Sequence, residues 1–299
     1  MPNAAEIAKQ VETESERRSV LSVPAFAGGF LYVLSAIIIS GTLKGAPTVG
    51  LVEGLGPAIS GVANPTVSPR ASEVKFISHH AFTLIVGSVL AAIAVAALTL
   101  ILWLLLDATR FRRPSTWVAA RPLVLFGGIA VAVVSVAHQV ISAIQTHSFA
   151  VGHDFSNHAV NHALTEGSVN VTMEYIDLLA GLALAAGVIA TMINALRTGL
   201  LPRWMGILGI FSGLLIFLPI GGAELQVVPA LWMVMMGILY AGRWPNAEPP
   251  AWAAGEARPW PSGAQARAAK NAGGDVVPAP SPPVQAGTSR KRRKRGARG

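Results

Sequence analysis

The sequence predicts an all-α protein, a polytopic membrane bundle of six transmembrane helices with both termini in the cytoplasm. Three observations lead to this fold class. Of the 299 residues, 52% are hydrophobic and only 13% are charged, whereas soluble globular domains carry about 25% charged residues. Six stretches approach the roughly 20 apolar residues that cross about 30 Å of hydrocarbon. The basic residues concentrate in alternate connections between these stretches, which is the pattern that orients membrane proteins.

The first predicted span follows a short charged leader, residues 1–19, in which we expect a cytoplasmic surface helix. From Ser19 to Leu43 the sequence contains no charged residue, and the predicted span covers residues 24–43. A cleaved signal peptide is the competing interpretation, but its apolar core has only about 7 to 15 residues and follows a basic leader. Here the apolar run is longer and the leader carries mixed charge, which favours a retained span.

Five further apolar stretches complete the predicted membrane domain, residues 20–242. A Gly- and Pro-rich outer loop, residues 44–79, separates the first two spans. A helix start near the end of this loop would place His79 and His80 in the opening turns of the second span. The last two spans are shorter, and Gly and Pro between them indicate a helical hairpin. The predicted spans are residues 24–43, 81–106, 122–145, 178–196, 204–221 and 227–242.

The distribution of Lys and Arg sets the predicted orientation, because basic residues in short connections stay in the cytoplasm. One set of connections is rich in arginine, whereas the other holds only Lys44, Arg70 and Lys75. Both termini are therefore predicted to be cytoplasmic. The arginines on the predicted cytoplasmic side are Arg17, Arg18, Arg110, Arg112, Arg113, Arg121, Arg197, Arg203 and Arg243.

This threading places all seven histidines at the outer side of the membrane. His138 belongs to the set because it lies seventeen residues after Arg121, about 26 Å along a helix. Ser135, Ser142 and Gln145 share its helix face, and such a polar seam should face the bundle rather than lipid. The seven histidines are His79, His80, His138, His147, His153, His158 and His162.

The polar stretch GHDFSNHAVNHALTEG, residues 152–167, holds three of these histidines. If it forms a helix with Asp154 as its N-cap, then His158, His162 and Glu166 share one face. Two histidines four residues apart on a helix can bind one metal ion through their imidazoles, with a carboxylate as a further ligand.

The sequence therefore contains a candidate metal site. Because the chain has no cysteine, the ligands would be imidazoles and carboxylates, which suit a divalent transition metal such as Zn, Cu, Ni or Fe. The candidate ligands are His158, His162, Glu166 and His138, with His79, His80 and Asp154 as further candidates.

Other interpretations use the same residues without a metal. The stretch can be polar because it is solvated and binds no ligand, with His138 hydrogen-bonded to a serine in the bundle. Histidine titrates near 6.5, so an outward-facing cluster could sense pH or relay protons. Haem ligation would need paired intramembrane histidines at matching depth, and these are not evident.

The sequence contains none of the catalytic motifs HExxH, Walker A or GxGxxG, nor the nucleophile elbow GxSxG. Whether the protein is an enzyme stays open at this point. We favour a non-catalytic membrane bundle. The alternative is a metal-binding membrane protein or metalloenzyme, and a proton-coupled transporter or pH sensor is third.

Residues 243–299 are predicted to form a disordered cytoplasmic tail. They contain prolines and three tryptophans without periodicity, and such a composition cannot bury enough apolar area to fold alone. Seven of the last ten residues are basic, from Arg290 to Arg298. This cluster could bind anionic lipid, at about 1 kcal/mol per basic residue, or nucleic acid. Lipid is favoured over nucleic acid, and a solvated topology determinant without a partner is favoured over both.

The stretches TGLLPRWMGILGIFSGLL, residues 198–215, and LYAGRWPNAEPPAWAAGEARPWPS, residues 239–262, carry a resemblance. They resemble a recurring ending of uncharacterised multi-spanning integral membrane proteins of actinobacteria. The resemblance implies a bacterial cytoplasmic membrane as the location. It implies no activity, substrate or site residue, and it does not include the histidine-rich stretch.

Overall fold

The computed structural model describes residues 3–50, 59, 61, 67–115, 118–152, 154–166, 168–217, 225–245 and 248–260. Within these residues every regular element is a helix. The helices are α1 (Ala4–Leu43), α2 (Ala71–His79), α3 (Ala81–Arg112), α4 (Ala120–Val151), α5 (Asn157–Asn161), a π-helical turn (His162–Glu166), α6 (Ser168–Thr198), α7 (Arg203–Phe217), α8 (Val227–Tyr240) and α9 (Pro250–Ala254).

Four helical stretches are long and apolar enough to cross a membrane: α1, α3, α4 and the stretch that ends with α6. The predicted all-α class with long apolar helices is therefore confirmed. The helices α7 and α8 are also apolar but have only 15 and 14 residues, about 22 Å and 21 Å in length. Residues 218–224, which connect them, lie outside the described residues.

Six helices of the described chain form a closed ring. The helix α1 packs on α3, α3 on α4, α4 on α6, α6 on α7, α7 on α8, and α8 returns to α1. The helix α3 also contacts α6 across the ring, and it buries Ile101, Leu102 and Leu105 completely. Large apolar side chains such as Phe30 and Phe126 face outward and are about two-thirds exposed, 68% in each case. An apolar core and an apolar exterior together are typical of a bundle in lipid.

Helices α4 and α6 approach each other through glycines. A Cβ atom on Gly127 would lie 2.6 Å from the backbone nitrogen of Leu184, and one on Gly187 would lie 2.9 Å from that of Val124. Neither position has room for a larger side chain unless the helices separate. Small residues at such contacts let helix backbones come close, which strengthens packing where no hydrophobic effect drives association.

The helix α1 corrects the predicted leader. The sequence predicts a surface helix within residues 1–19 and a separate span from residue 24, but one helix of 40 residues runs from Ala4 to Leu43. It begins at a capping box in which Asn3 and Glu6 exchange hydrogen bonds of 2.8 and 2.9 Å. At 1.5 Å per residue it is about 60 Å long, so roughly half of it extends beyond a hydrocarbon layer.

The junction of α2 and α3 corrects the placement of two histidines. The sequence places His79 and His80 in the opening turns of the second span, but His79 ends the short helix α2 and His80 lies between the two helices. The His80 ring nitrogen Nδ1 and the Phe76 carbonyl oxygen are 2.9 Å apart, and the ring stacks on that of Phe76. These contacts hold His80 at the junction, and α2 packs against α4.

The two ends of the ring differ in composition. We call one the arginine end: among the described residues it carries the first half of α1, the end of α3, the start of α4, the α6–α7 turn and residues 240–245 and 248–260. The opposite one, the histidine end, carries α2, the last turns of α4, α5 and the π-helical turn.

Residues 248–260 pack against the arginine end and are called the strap below. The sequence predicts disorder here, and for these residues the prediction is wrong. The helix α9 buries Ala251 and Trp252 against the bundle, and the backbone N–H of Arg258 donates to the Thr198 carbonyl at 3.0 Å. Residues 261–299, with the basic cluster, lie outside the described residues, so disorder there stays a prediction.

Candidate functional sites at the two ends of the bundle

The histidine end has a small hydrophobic core of its own. Val74, Phe149 and Val160 are buried together, and the ring of Phe155 meets that of Phe149 edge-on with centroids 5.5 Å apart. The ammonium group of Lys75 lies 4.2 Å from the centroid of the Phe155 ring. The described part of the polar stretch is therefore a folded cap on the bundle, and it carries His158 and His162.

The helix α5 begins two residues later than the sequence predicts. Ser156, and not Asp154, is the N-cap, because its hydroxyl accepts from the Ala159 backbone N–H at 3.3 Å. The carboxylate of Asp154 accepts from the Ser156 backbone N–H at 3.0 Å, in an Asx-turn. The backbone and hydroxyl hydrogen bonds from Ser156 lower the pKa of Asp154 from its ordinary value. Both Asp and Ser are common N-cap residues. Here the Asp154 carboxylate is engaged in the Asx-turn, and the Ser156 hydroxyl caps the helix.

The rings of His158 and His162 lie side by side on one face. Their ring centroids lie 6.4 Å apart with 27° between the ring planes. Both side chains are exposed. The backbone passes from α-helical to π-helical spacing at His162, and single π-helical turns occur frequently at functional sites. The side chain of Glu166 lies outside the described residues.

The other candidate ligands are distributed over this end of the bundle. Asp154 interacts electrostatically with His158, while His138 on α4 interacts with Asp177 on α6. His79 is exposed and meets the His80 ring edge-on at 5.2 Å. Among the described residues, no three His, Asp or Glu side chains come together as metal ligands would. The structure thus joins the pair of His158 and His162, and the full metal site stays a prediction.

Two buried amide oxygens lie below the cap. Oε1 of Gln145 on α4 and Oδ1 of Asn170 on α6 have no hydrogen-bond donor among the described residues. The amide nitrogen of Asn170 donates to the Ala163 carbonyl at 3.4 Å, which ties α6 to the π-helical turn. Buried polar atoms of this kind are commonly satisfied by an ordered water. Of the seam predicted on the third span, Gln145 thus carries a buried polar atom.

At the arginine end the structure shows a buried ionic cluster that sequence reasoning missed. Glu14 of α1 and Arg112 of α3 form two hydrogen bonds of 2.8 and 2.7 Å, and their side chains are 3% and 0% exposed. Arg112 Nε also donates to the Ala251 carbonyl of the strap at 2.9 Å. A buried charge pair is tolerated where the geometry is good and further hydrogen bonds satisfy the remaining groups.

Trp252 is the centre of this cluster and is 1% exposed. Its ring centroid lies 4.5 Å from the guanidinium carbon of Arg18 and 5.4 Å from that of Arg112, within the range of cation–π attraction. The indole N–H donates to the Leu200 carbonyl at 2.9 Å. Arg18 forms an ion pair with Glu248 at the start of the strap. We call Glu14, Arg18, Arg112, Glu248 and Trp252 the clasp.

Comparisons with models of protein families, with curated proteins and with solved structures find no match to this chain.

The clasp joins four segments that are distant in sequence: the first half of α1, the end of α3, the α6–α7 turn and the strap. The sequence contains two indirect signals of the clasp. Glu14 and Arg18 are four residues apart, which places both on one face of α1, and Trp252 interrupts a Pro- and Ala-rich stretch. Neither signal identifies the partner across the bundle.

Proposed function

We propose that the chain is an integral protein of a bacterial cytoplasmic membrane that crosses it six times, with both termini in the cytoplasm. Its role in this proposal is that of a non-catalytic membrane bundle. The observation that carries the proposal is the clasp. Because the first half of α1 and the strap meet at one end of the bundle, both must lie on one side of a bilayer. The number of crossings between them is then even.

The charge distribution supports the cytoplasmic location of the arginine end. Exposed arginines surround this end of the described bundle, whereas the histidine end has Lys44, Arg70 and Lys75. Basic residues in short connections stay on the cytoplasmic side during insertion. The exposed arginines at this end are Arg17, Arg110, Arg113, Arg197, Arg203 and Arg243. The basic cluster from Arg290 to Arg298 would then face the anionic inner leaflet, which we propose as its partner.

The hairpin of α7 and α8 decides between four and six crossings, since both numbers are even. Two features support six. The ring closes only through α7 and α8, which connect α6 to α1. In addition, α8 contains no charged residue and α7 contains only Arg203, at its first position.

Cysteine accessibility tests the threading, because the natural chain has no cysteine. Single cysteines replace the exposed residues Ser15, Ser72, Ser168 and Ala253, and Ala223 between α7 and α8. In intact cells an impermeant maleimide should label positions 72, 168 and 223. Positions 15 and 253 should react only after permeabilisation. Labelling of position 223 only from the cytoplasm would reduce the count to four, and labelling of position 168 only from the cytoplasm would reverse the orientation.

A second candidate function is metal binding at the histidine end. The neighbouring rings of His158 and His162, with centroids 6.4 Å apart, favour it. Two imidazoles on one exposed helix face can bind Zn, Cu, Ni or Fe together. Elemental analysis of purified protein should find less metal in H158A/H162A than in wild type. A matched control is H147A, which removes an exposed histidine of the same end that is not a candidate ligand. Equal metal content in all three proteins would end this proposal.

A further inference from the structure

Two Arg–Trp dipeptides meet at the arginine end. Arg203 and Trp204 begin α7, and Arg243 and Trp244 follow α8, so the dipeptides mark the two ends of the hairpin. The indole rings of Trp204 and Trp244 stack with centroids 5.8 Å apart and 23° between their planes. Trp204 is 48% exposed. The stacked pair brings together the chain segments that carry the two neighbouring arginines, and we call these four residues the Arg–Trp patch.

The arginines of the patch lack carboxylate partners within the described part of the chain, as do Arg110, Arg113 and Arg197, whereas some arginines at this end have them. Arg17 and Arg121 both pair with Asp107, at 3.9 and 3.3 Å. Arg203 and Arg243 are exposed and form no ion pair with a described residue. Their positive charge is thus available for an anion from outside the chain.

The strap contributes to the patch and limits its mobility. Nη2 of Arg203 donates to the Trp260 carbonyl at 3.1 Å, and the indole N–H of Trp260 donates to the Leu201 carbonyl at 3.0 Å. One guanidinium nitrogen of Arg203 is therefore engaged, while its other N–H groups donate to no described residue. A guanidinium held in this way loses less conformational entropy when it binds a phosphate.

We infer that the Arg–Trp patch binds the phosphate headgroup of an anionic phospholipid. Tryptophans of membrane proteins lie at the level of the lipid headgroups. Arginine binds phosphate oxygens with two parallel hydrogen bonds, and basic pockets between membrane helices on the cytoplasmic side bind anionic lipid headgroups. The inference rests on the proposed membrane location. The proposed orientation decides only which leaflet supplies the lipid.

The test measures the thermal unfolding midpoint of the purified full-length protein in a neutral detergent. Phosphatidylglycerol, phosphatidylcholine or inorganic phosphate is added at equal concentration. A ligand that binds only the folded state raises the midpoint, by roughly 5 °C near saturation for a protein of this size. We expect this shift with phosphatidylglycerol and none with the other two. The variant R203Q/R243Q should lose most of the shift.

Two matched variants separate the patch from general positive charge. R110Q/R113Q removes two exposed arginines of the same end and should keep the shift. The same holds for a full-length variant in which the seven basic residues from Arg290 to Arg298 become glutamine. If R203Q/R243Q does not fold, R203K/R243K keeps the charge but loses the two-pronged geometry, and its shift should fall by at least half.

Several outcomes would overturn the inference. Equal losses in R203Q/R243Q and R110Q/R113Q would mean unspecific charge, and a loss confined to the tail variant would assign lipid binding to the tail. An equal shift with inorganic phosphate would mean a free-anion site. Because the measurement is made in detergent, it does not depend on topology. If the cysteine labelling shows the reversed orientation but phosphatidylglycerol still raises the midpoint, only the orientation is refuted. If the labelling agrees with the proposed orientation but the midpoint does not rise, only the patch is refuted.

Discussion

Glu14 and Arg112 are separated by 98 positions in the chain, yet they form a two-bond ion pair that is almost fully buried. The pair ties the first half of α1 to the end of α3. It lies beside Trp252 of the strap, whose ring is within 5.4 Å of the Arg112 guanidinium carbon. The N-terminal and C-terminal parts of the described chain are therefore held by one charged cluster.

Removing one partner of this pair should destabilise the protein strongly. Arg112→Met removes both hydrogen bonds to the buried Glu14 carboxylate, and breaking a buried ion pair typically costs about 3–5 kcal/mol. The double variant E14L/R112M should cost clearly less than the sum of the single variants, since neither charge is left alone. Unfolding in detergent followed by circular dichroism measures these differences.

The control for the ion pair is Arg17→Ala. Its side chain is 59% exposed and its contact with Asp107 is 3.9 Å, so its loss should cost less than about 1 kcal/mol. If Arg112→Met were as mild as Arg17→Ala, the buried pair would not be a stabilising element.

Trp252→Ala should release the strap while the ring of helices stays folded. The substitution removes a buried indole, a change that typically costs about 3–5 kcal/mol, and it removes the hydrogen bond to Leu200. Glutamyl endopeptidase should then cleave after the exposed Glu256 at least tenfold faster than in wild type, because cleavage follows the open population. Ala253→Ser, at an exposed strap position, should leave the rate unchanged. Equal rates in all three proteins would contradict the docked strap.

Gly127→Ala should weaken the contact between α4 and α6. The new Cβ would lie 2.6 Å from the backbone nitrogen of Leu184, so the helices must move apart, at a typical cost of about 1–3 kcal/mol. Gly181→Ala in α6 is the matched control, since nothing lies within 4 Å of its Cβ position. The unfolding midpoint should fall for the first variant and not for the second. A similar response to both would mean that α4 and α6 are not closely packed at Gly127.

The hydrogen bonds from Ser156 to Asp154 predict a pH dependence at the histidine end. They lower the pKa of the Asp154 carboxyl, so their contribution to folding is present above the ordinary aspartate value of about 3.9. It is lost as the pH falls through the lower value of the folded protein. Carboxyl-labelled aspartate gives only four signals in this chain, and Asp154→Asn assigns the relevant one. Ser156→Ala should raise the midpoint of this signal, whereas Asn157→Ala should not.

Local features of the fold could be predicted from the sequence, because they depend on neighbouring residues alone. The apolar length of α3 and α4 is such a feature, and so is the shared face of His158 and His162, which follows from a spacing of four. The N-cap of α5 is a limiting case. Asp154 and Ser156 are both capping residues, and only the Asx-turn between them decides which one caps.

The clasp could not be predicted, since its pairs are tertiary contacts. The charges of the leader are typical of a solvated helix, and nothing near Glu14 in sequence identifies Arg112 as its partner. The order of the strap could not be predicted from the sequence for a related reason. Its order depends on Trp252 and Trp260 donating to carbonyls of the α6–α7 turn, and these contacts have no periodicity that a sequence pattern could reveal.

The ion pair of Arg18 and Glu248 also has a consequence for the order of events during synthesis. The two residues are 230 positions apart, and translation proceeds at about 5–20 residues per second. Glu248 is therefore synthesised roughly 10 to 50 s after Arg18, while the helices between them are made and inserted. During this interval Arg18 lacks both the Glu248 carboxylate and the Trp252 ring, so the clasp is completed only after the strap is made. A chain that stops before the strap would leave the clasp incomplete.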